Sequence, residues 1–380
     1  MGSHPRATVA LAVFACLWGC DPFNTGFADL EPADRYQAAA LTEAPESPES
    51  LRVMNWNIKF GGGRIDFFFD CHGDPGRSLM SEDEVLSHLE GLAAKINEVN
   101  PDLLMIQEAD VLSKRSAYVD MVQWLLDHTE LNHGVYASQW KADFVASDGI
   151  GRVESGSAIL SRYPFGDATR IALPLVVEYD ALKNHFYLKR NVLKAELLVP
   201  GQDNLWALTT HSEAYSQDGT KKKHIDRFKE ELDAIDDAGG RFVGGGDLNA
   251  IPPGSEKTKD FADSVCVDEE FQADDYSEEL DWLDGLYERY QPAVSLEAYA
   301  DNNACHFTHT TTDKSDGNFW SRKLDYLFTN TTFSPGSTVT HQGDHPDEAS
   351  SAACEASTQG LPTMPLSDHA PVVTTWEVSP

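Results

Sequence analysis

The segment 242–250, FVGGGDLNA, constrains the fold of this chain more than any other stretch. An apolar strand runs into three glycines, and a carboxylate (Asp247) and a carboxamide (Asn249) follow two residues apart. Glycine permits a close approach of the backbone to a ligand, and side chains two positions apart on an extended segment face the same side. Turns favour the same residues, so the segment indicates a functional site only in combination with other polar clusters.

Five further polar clusters accompany strand-like apolar runs along the chain. Open α/β sheets bind their ligands at the ends of strands, so we expect these clusters to converge at one end of the fold. They are RVMNWN (52–57), DLLMIQE (102–108), LWALTTH (205–211), RKLDYLF (322–328) and LSDHAPVV (366–373).

In this order, the six clusters resemble the motifs of the endonuclease/exonuclease/phosphatase superfamily. That superfamily includes deoxyribonuclease I-like nucleases, abasic-site endonucleases, bacterial sphingomyelinases and inositol-phosphate phosphatases. The resemblance extends over residues 51–376. It implies an α/β fold, a four-layer α/β sandwich in which two mixed β-sheets pack face to face with helices outside. It also implies metal-dependent hydrolysis of a phosphoester, with a phosphodiester as the favoured substrate.

The resemblance assigns a metal site to three residues. Glu108 matches the carboxylate that holds the ion, and Asn57 and Asp368 match the residues that assist it. Hard oxygen ligands suit Mg²⁺, which takes few carboxylates and keeps several waters; Mn²⁺ and Ca²⁺ are the alternatives. Some branches carry an acidic second metal ligand after the Trp-Asn pair, whereas Ile58 and Lys59 follow Asn57 here. We therefore do not expect a second metal ion.

The resemblance also assigns catalytic roles. His369 matches an imidazole that acts as a general acid/base or stabilises the pentavalent transition state, and imidazole titrates near neutral pH. His211 matches a second histidine on the opposite side of the phosphate, as in the phosphodiesterase branches. Asp247 matches the residue that orients or activates the attacking water. Asp325 matches the carboxylate that orients the terminal histidine.

Two residues match phosphate-binding positions of the superfamily. Asn249 matches a hydrogen-bond donor to the phosphate, and Arg190 stands where several branches carry a phosphate-contacting arginine; a planar guanidinium suits phosphate oxygens. A basic run at 221–223 opens a predicted helix after His211. It has two interpretations, contact with an anionic substrate or a solvated helix end, and we favour the second.

Two other features have both a structural and a functional interpretation. For Phe67, Phe68 and Phe69, packing is favoured over insertion into lipid. His306 and His309 are spaced by three residues and are candidate ligands, but a strand or loop role is favoured.

The chain carries 29 basic and 62 acidic residues, a net charge of −33. Such a surface repels polyanions, although salt limits that repulsion to about 8–10 Å. The charge argues against tight binding to long nucleic acid, where neutralised phosphates supply most of the affinity. The substrate class stays open between a small-molecule diester, a lipid head group and nucleic acid. We expect a monomer, and the alternative function is a non-catalytic envelope lipoprotein binding module on the same fold.

The N-terminal residues 1–19 predict a signal peptide. Arg6 precedes an apolar run at 7–18 that is too short to span a bilayer but suits a signal sequence. The run ends in LWGC, which resembles a bacterial lipoprotein cleavage box. Cys20 would then carry the lipid and anchor the chain to the bacterial cell envelope, on the periplasmic or outer face; ordinary cleavage and secretion are the alternative. Residues 20–50 predict a disordered tether, and residues 51–380 the folded domain.

The cysteines fit export. Cys16 leaves with the predicted leader and Cys20 is the predicted lipidation site. An exported context permits disulfides, and four cysteines allow three pairings, between which the sequence does not choose. The four are Cys71, Cys266, Cys305 and Cys354.

Helix signals flank the strand-like runs. Ser81 and Glu84 predict a capping box, and apolar residues then recur at spacings of four and three up to Val99, before Pro101. A second helix is predicted over 117–128, and a third is predicted to begin at the basic run 221–223.

Overall fold

The structure is a computed structural model that describes residues 23–67, 76–216, 218–261, 275–311, 319–343 and 352–379. Several sequence predictions lie outside these residues: the signal peptide, the lipidation of Cys20, the packing of Phe68 and Phe69, and the pairing of Cys71 and Cys266. Within the described ranges, no helix combines the length and the apolar character needed to cross a membrane.

The strands of the described residues are numbered in chain order. They are β1 (Leu30–Pro32), β2 (Asp34–Gln37), β3 (Ser50–Asn57), β4 (Leu103–Asp110), β5 (His133–Val145), β6 (Gly151–Ser161), β7 (Phe165–Ala172), β8 (Asn191–Leu197), β9 (Leu205–His211), β10 (Arg241–Asp247), β11 (Gln291–Pro292), β12 (Asp325–Thr329), β13 (Thr332–Phe333), β14 (Val339–Thr340) and β15 (Val372–Glu377).

The α-helices of the same residues are α1 (Glu82–Val99), α2 (Met121–His128), α3 (Ala181–Phe186), α4 (Thr220–Asp237), α5 (Asp284–Arg289) and α6 (Leu296–Asp301). Short 3₁₀ helices span Lys59–Gly61, Lys114–Ser116, Ser147–Gly149, Asn303–His306 and Glu355–Thr358.

Two mixed sheets form the centre of the fold. Sheet I has the strand order β1-β7-β8-β9-β10-β12-β11, and sheet II has the order β13-β15-β3-β4-β6-β5-β2, with β14 also paired to β15. Neighbours β9 and β10 run parallel, as do β3 and β4. The later strands β12 and β15 run antiparallel to β10 and β3 respectively. The ends of the early strands therefore lie beside the beginnings of the late ones.

The sheets and helices stack in four layers, which confirms the predicted sandwich. The alternation of side chains along each strand explains this arrangement. On β3, for example, Val53 packs between the sheets, whereas Met54 packs outward against the layer that contains α1 and α2. On the other side, Phe228 and Leu232 of α4 cover the outer face of sheet I.

The prediction of a disordered tether over residues 20–50 is wrong for residues 30–37. Strand β1 pairs with β7 at one edge of sheet I, and β2 pairs with β5 at one edge of sheet II. Low apolar content does not prevent this pairing, because backbone hydrogen bonds to a free sheet edge require no apolar side chain. Ala33 and Ala38 beside these strands are buried.

The helix predictions hold with one change of boundary. The capping box of Ser81 and Glu84 is present at the start of α1, as predicted. Helix α2 begins at Met121 rather than at residue 117, because Ala117 and Tyr118 have φ angles of 53° and 63° that a right-handed helix excludes.

Helix α4 begins at Thr220 as predicted, but its first lysine is not at a solvated helix end. The Lys221 ammonium is buried and donates to both carboxylate oxygens of Glu279 at 2.8 and 3.0 Å. Lys222 is paired with Asp226 on the exposed side of the helix.

A disulfide joins Cys305 to Cys354, a pairing that the sequence had left open. It links the 3₁₀ helix Asn303–His306 to the start of the 3₁₀ helix Glu355–Thr358. These two segments flank β12, and the later one precedes the polar loop at 366–369. The cross-link therefore restrains two segments that lead into the polar clusters near the end of the chain.

The strands beside β10 leave no room for a side chain at two of its glycines. A Cβ on Gly245 would lie 1.9 Å from the Tyr326 carbonyl oxygen, and a Cβ on Gly246 would lie 1.9 Å from that of Thr210. Gly246 also has a φ of +137°, which side-chain-bearing residues rarely adopt. These glycines therefore let the backbones of the adjacent strands come close to β10. They do not serve the close approach of a ligand.

We predict that Gly245→Ala lowers the free energy of unfolding by about 3 kcal/mol, since the strand must shift to avoid the Tyr326 carbonyl. Urea denaturation measures this change. Gly285→Ala in α5 is the control, because its Cβ would meet only the flexible Lys229 side chain at 3.2 Å and alanine favours a helix. Equal stability of the two variants would contradict the prediction.

Candidate active site

Strand pairing brings the predicted site residues to one end of the two sheets. In sheet I, Asp247 at the end of β10 is paired with His211 on the parallel β9 and with Asp325 on the antiparallel β12. These three residues therefore form one row across the sheet. In sheet II, Asn57 ends β3 and is paired with Gln107, so Glu108 follows immediately on β4.

The polar loop that carries Asp368 and His369 precedes β15 and is fastened to β3. The Ser367 hydroxyl donates to the Asn57 carbonyl at 2.7 Å and accepts from the His369 backbone N–H at 3.1 Å. The Trp56 indole donates to the His369 carbonyl at 2.8 Å. Asp325 and His369 were expected at strand ends; they stand at the beginning of β12 and just before β15, and the antiparallel pairing places both at the same end as Asp247.

Asp247 is the centre of the site. Its Oδ2 accepts from the Asn57 amide at 3.1 Å and lies 3.3 Å from His211 Nε2 and 3.6 Å from His369 Nε2. Its other oxygen accepts from the Asn249 backbone N–H at 3.0 Å. Burial, together with Asp325, raises the pKa of Asp247 to about 7, although His369 acts in the opposite direction. A carboxyl that titrates near neutral pH is suited to general base work.

The two histidines beside Asp247 have opposite charge states at neutral pH. Burial lowers the pKa of His211 well below its usual value, and Arg190 adds to the effect, so His211 is neutral. Burial acts in the same direction on His369, but Asp325 and Asp247 outweigh it and raise its pKa to about 10. His369 Nδ1 donates to Asp325 Oδ2 at 2.8 Å. A neutral and a protonated imidazole thus flank one carboxyl, an arrangement that separates acid from base.

Glu108 occupies an irregular position on β4. The pairing of β4 with β6 shifts between Ile106 and Ala109, and Glu108 has a φ of +60°. Such bulges turn a side chain away from the regular direction of the strand, and strained backbone is common at functional sites. The Glu108 side chain is 26% exposed and accepts from the Asn57 amide at 2.9 Å. Its carboxylate therefore faces the cleft.

The carboxylates of Glu108 and Asp368 suit a hard divalent cation, whereas the Asn57 side-chain oxygen accepts from the Lys59 backbone N–H at 3.1 Å. Burial raises the pKa of Glu108, and the nearby Asp368 raises it further, so these carboxylates repel each other. A cation between them would remove that repulsion. A second group, Asp247, Asp325 and His369, also has ligand atoms within 4.8 Å of one another. We regard this group as less suitable, because Asp325 and His369 are already bonded to each other.

Lys59 occupies a position next to the candidate metal ligands. It is buried, and its ammonium lies 3.9 Å from Asp368 Oδ2. It therefore supplies positive charge beside Asp368.

The two predicted phosphate-binding residues face the same end of the fold. Asn249 has a φ of +50°, which asparagine tolerates, and its amide donates to the Ser212 carbonyl at 3.1 Å. Arg190 is buried; its Nε lies 4.0 Å from Glu213 Oε2, and its Nη1 is 3.5 Å from Gln139 Oε1. Arg190 is thus held by one carboxylate and one amide at the wall of the cleft.

A cleft of about 650 Å³ opens over this site. Seven of the nine predicted residues line it. Asn57 and Asp325 lie behind the lining. Asn57 is hydrogen-bonded to Glu108 and Asp247, and Asp325 to His369. The lining residues of the predicted set are Glu108, Arg190, His211, Asp247, Asn249, Asp368 and His369.

His309, which the sequence offered as a candidate ligand but did not assign to the site, also lines the cleft. Its ring lies 4.5 Å from that of His369, centre to centre, and its backbone bridges to the same residue. Burial lowers its pKa well below the usual value, and Arg322 adds to the effect, so the ring is neutral. The sequence favoured a strand or loop role for His309, and its backbone bridge agrees with that role. Its side chain also reaches the site. The spacing from His306 carried no signal for this contact.

A model of the Endonuclease/Exonuclease/phosphatase family matches residues 54–369 of the chain. The protein belongs to this family. It is accordingly a hydrolase that acts on phosphoester bonds, and enzymes of the family depend in general on a divalent metal. No curated protein matches the sequence.

Solved structures that are similar to this chain are distant from it in sequence. An endonuclease/exonuclease/phosphatase from Beutenbergia cavernae is 18% identical, with 87% of this chain and 72% of that chain covered and a TM-score of 0.50. A family protein from Leptotrichia buccalis is 15% identical over 86% and 99% of the chains, with a TM-score of 0.49. D. rerio TDP2, solved with a single-strand DNA product, is 15% identical over 86% and 99%, with a TM-score of 0.46. At these identities, the first likeness supports the fold and none indicates a substrate.

His224 contacts Glu213, the residue beside Arg190, and its burial keeps the ring neutral. His224 Nδ1 accepts from the Glu213 backbone N–H at 3.1 Å, and Nε2 donates to the Pro174 carbonyl at 2.7 Å. Protonation of Nδ1 would break the first of these bonds. Burial lowers the pKa of His224 to about 4.

We predict that His224 makes the protein less stable in mild acid. Between its usual pKa of 6.5 and about 4, the unfolded chain binds a proton that the folded protein does not. The free energy of unfolding therefore falls as the pH falls, by about 2 kcal/mol at pH 5. Urea denaturation at pH 7 and pH 5 should give a smaller loss for His224→Gln than for the wild type. The exposed His128→Gln is the control, and an unchanged loss in His224→Gln would contradict the prediction.

Proposed function

We propose that this protein is a metal-dependent phosphodiester hydrolase. The observation that carries the proposal is the placement of Asp247 between a neutral His211 and a protonated His369. Hydrolysis of a diester requires a group that takes a proton from water and a group that gives a proton to the leaving oxygen. One site with both charge states at neutral pH meets both requirements.

In the proposed reaction, Asp247 and His211 orient a water molecule and accept its proton as its oxygen attacks phosphorus. The bond between phosphorus and the leaving oxygen breaks, and His369, held by Asp325, donates a proton to that oxygen. The products are a phosphomonoester and an alcohol. Arg190 and Asn249 bind the non-bridging oxygens, whose charge increases in the transition state.

The proposed cofactor is Mg²⁺, with Mn²⁺ or Ca²⁺ as alternatives. The residues that would hold it are Glu108 and Asp368, whose carboxylates suit a hard cation, together with Asn57, which the family resemblance assigns to the same site. When bound, such an ion supplies Lewis-acid polarisation of a phosphoryl oxygen. The mutual repulsion of Glu108 and Asp368 supports this assignment.

Within this proposal, the substrate is a small molecule or a lipid head group rather than long nucleic acid. The net charge of −33 disfavours the approach of a polyanion. Hydrolysis of nucleic acid stays as the second candidate, because Arg190, Arg322 and Lys59 line the cleft and supply local positive charge. A nuclease that binds nucleic acid through these cations should be strongly inhibited by added salt.

We predict that the purified protein hydrolyses bis-p-nitrophenyl phosphate with added Mg²⁺ and loses the activity in EDTA. Glu108→Gln and His369→Gln should each lower kcat by about 10²–10⁴-fold, because each removes a group that acts on the transition state. Release of p-nitrophenolate measures the rate. Glu230→Gln, on the exposed face of α4, is the control. Wild-type turnover in Glu108→Gln or His369→Gln would remove the proposed mechanism.

We also propose that the chain is exported and anchored through Cys20 to a bacterial cell envelope, as a lipoprotein of the type that LWGC resembles. The Cys305–Cys354 disulfide supports export, because disulfides persist in oxidising compartments. Expression of the full chain in a bacterium should give a membrane-associated protein that incorporates labelled palmitate, and Cys20→Ser should lose the label. Unlabelled protein in the medium would indicate ordinary secretion, and retention in the cytoplasm would contradict export.

A further inference from the structure

The cleft extends beyond the ionic site into an apolar half that contains none of the predicted site residues. The ionic half is the part of the cleft that the predicted site residues line, Arg190 and His211 among them. The rest of the lining, the apolar half, includes the charged Arg115, Asp180 and Lys183 but also large aliphatic and aromatic side chains. These apolar side chains include Trp140, Val145, Ile150, Leu182, Phe186 and Leu188.

The apolar half is a built part of the fold. Strands β5 and β6 continue past a pairing shift between Ser138 and Trp140 and are joined through the 3₁₀ helix Ser147–Gly149. The hairpin has a small core of its own, on which Trp140 and Phe186 pack. The Trp140 indole donates to the Phe186 carbonyl at 2.7 Å, which fixes α3 against the hairpin. The members of this core are Ala142, Val145, Ile150 and Val153.

Leu182 on α3 also lines the cleft and is 71% exposed. A single exposed leucine needs no explanation. This one is continuous with the apolar wall, and the wall is continuous with the ionic site, so a ligand of one cleft would contact both. Apolar surface arranged beside a few charged groups is typical of sites for small amphiphilic molecules.

We infer that one substituent of the substrate phosphodiester is apolar, either a hydrocarbon chain or an aromatic ring, and lies along this wall. The inference rests on the proposed hydrolase function and adds the class of substrate. The phosphate occupies the ionic half, and burial of the apolar substituent against Trp140 and Leu182 supplies binding free energy. The acidic surface is compatible with such a substrate, because a diester carries a single negative charge while a polyanion carries many.

The test uses p-nitrophenyl phosphodiesters that share a leaving group and differ in the second substituent. Methyl, hexyl and benzyl esters at monomeric concentrations, together with thymidine 5′-p-nitrophenyl phosphate, are assayed with Mg²⁺. The hexyl or the benzyl ester should have a kcat/KM about tenfold or more above that of the methyl ester. A preference for hexyl indicates a lipid-like chain, and a preference for benzyl indicates an aromatic group.

Leu182→Ser should reduce the advantage of the preferred apolar ester and leave the methyl ester unchanged. The effect should appear mainly in KM, because the wall contacts the substrate away from the reacting atoms. Val177→Ser is the matched control, since Val177 is 69% exposed and is not among the cleft residues. The double variant Leu182→Ser/Leu188→Ser enlarges the effect if the single change is small.

Equal kcat/KM values for the methyl, hexyl and benzyl esters would overturn the inference and leave the hydrolase function intact. Preference for the thymidine ester over both apolar esters would overturn it in favour of nucleotide substrates. Failure to release p-nitrophenolate from every ester would instead contradict the hydrolase function itself.

Discussion

The pairing of His211, Asp247 and Asp325 in one row across β9, β10 and β12 is the constraint on which the site depends. Asp247 can stand in that row only if β10 approaches both neighbours closely, and a Cβ on Gly245 or Gly246 would collide with their backbones. A shift of one residue would turn the Asp247 carboxylate to the other face of the sheet. The glycines therefore determine the chemistry indirectly, through the register of the strands.

The same register produces the different charge states of the two histidines. Both rings are buried, and burial favours the neutral form of each. His369 has Asp325 at 2.8 Å in addition to Asp247, whereas His211 has Arg190 nearby. The balance between burial and neighbouring charge thus makes His369 an acid and His211 a base, although both side chains are imidazoles.

The resemblance carried by the order of the six motifs implied the sandwich and the grouping of all nine site residues. Asp325 and His369 stand at or before the beginnings of β12 and β15 rather than at strand ends. The sequence-based predictions were wrong or incomplete where contacts between residues distant along the chain determine the structure. Residues 30–37 became edge strands because free sheet edges were available, and Lys221 is buried because Glu279 folds over it. The contact of His309 with His369 and the bulge at Glu108 likewise depend on partners that are distant along the chain.

A strongly acidic protein that acts on an anion must attract it only at short range. Lys59, Lys183, Arg190 and Arg322 line the cleft, while the chain as a whole carries a net charge of −33. Salt screens exposed charges beyond about 8–10 Å, so a small diester inside the cleft experiences mainly these cations and the local carboxylates. A long polyanion would extend over the acidic surface and experience repulsion along its length. Under the proposed function, this distribution of charge favours short substrates, and the apolar wall would add an attraction that does not depend on charge.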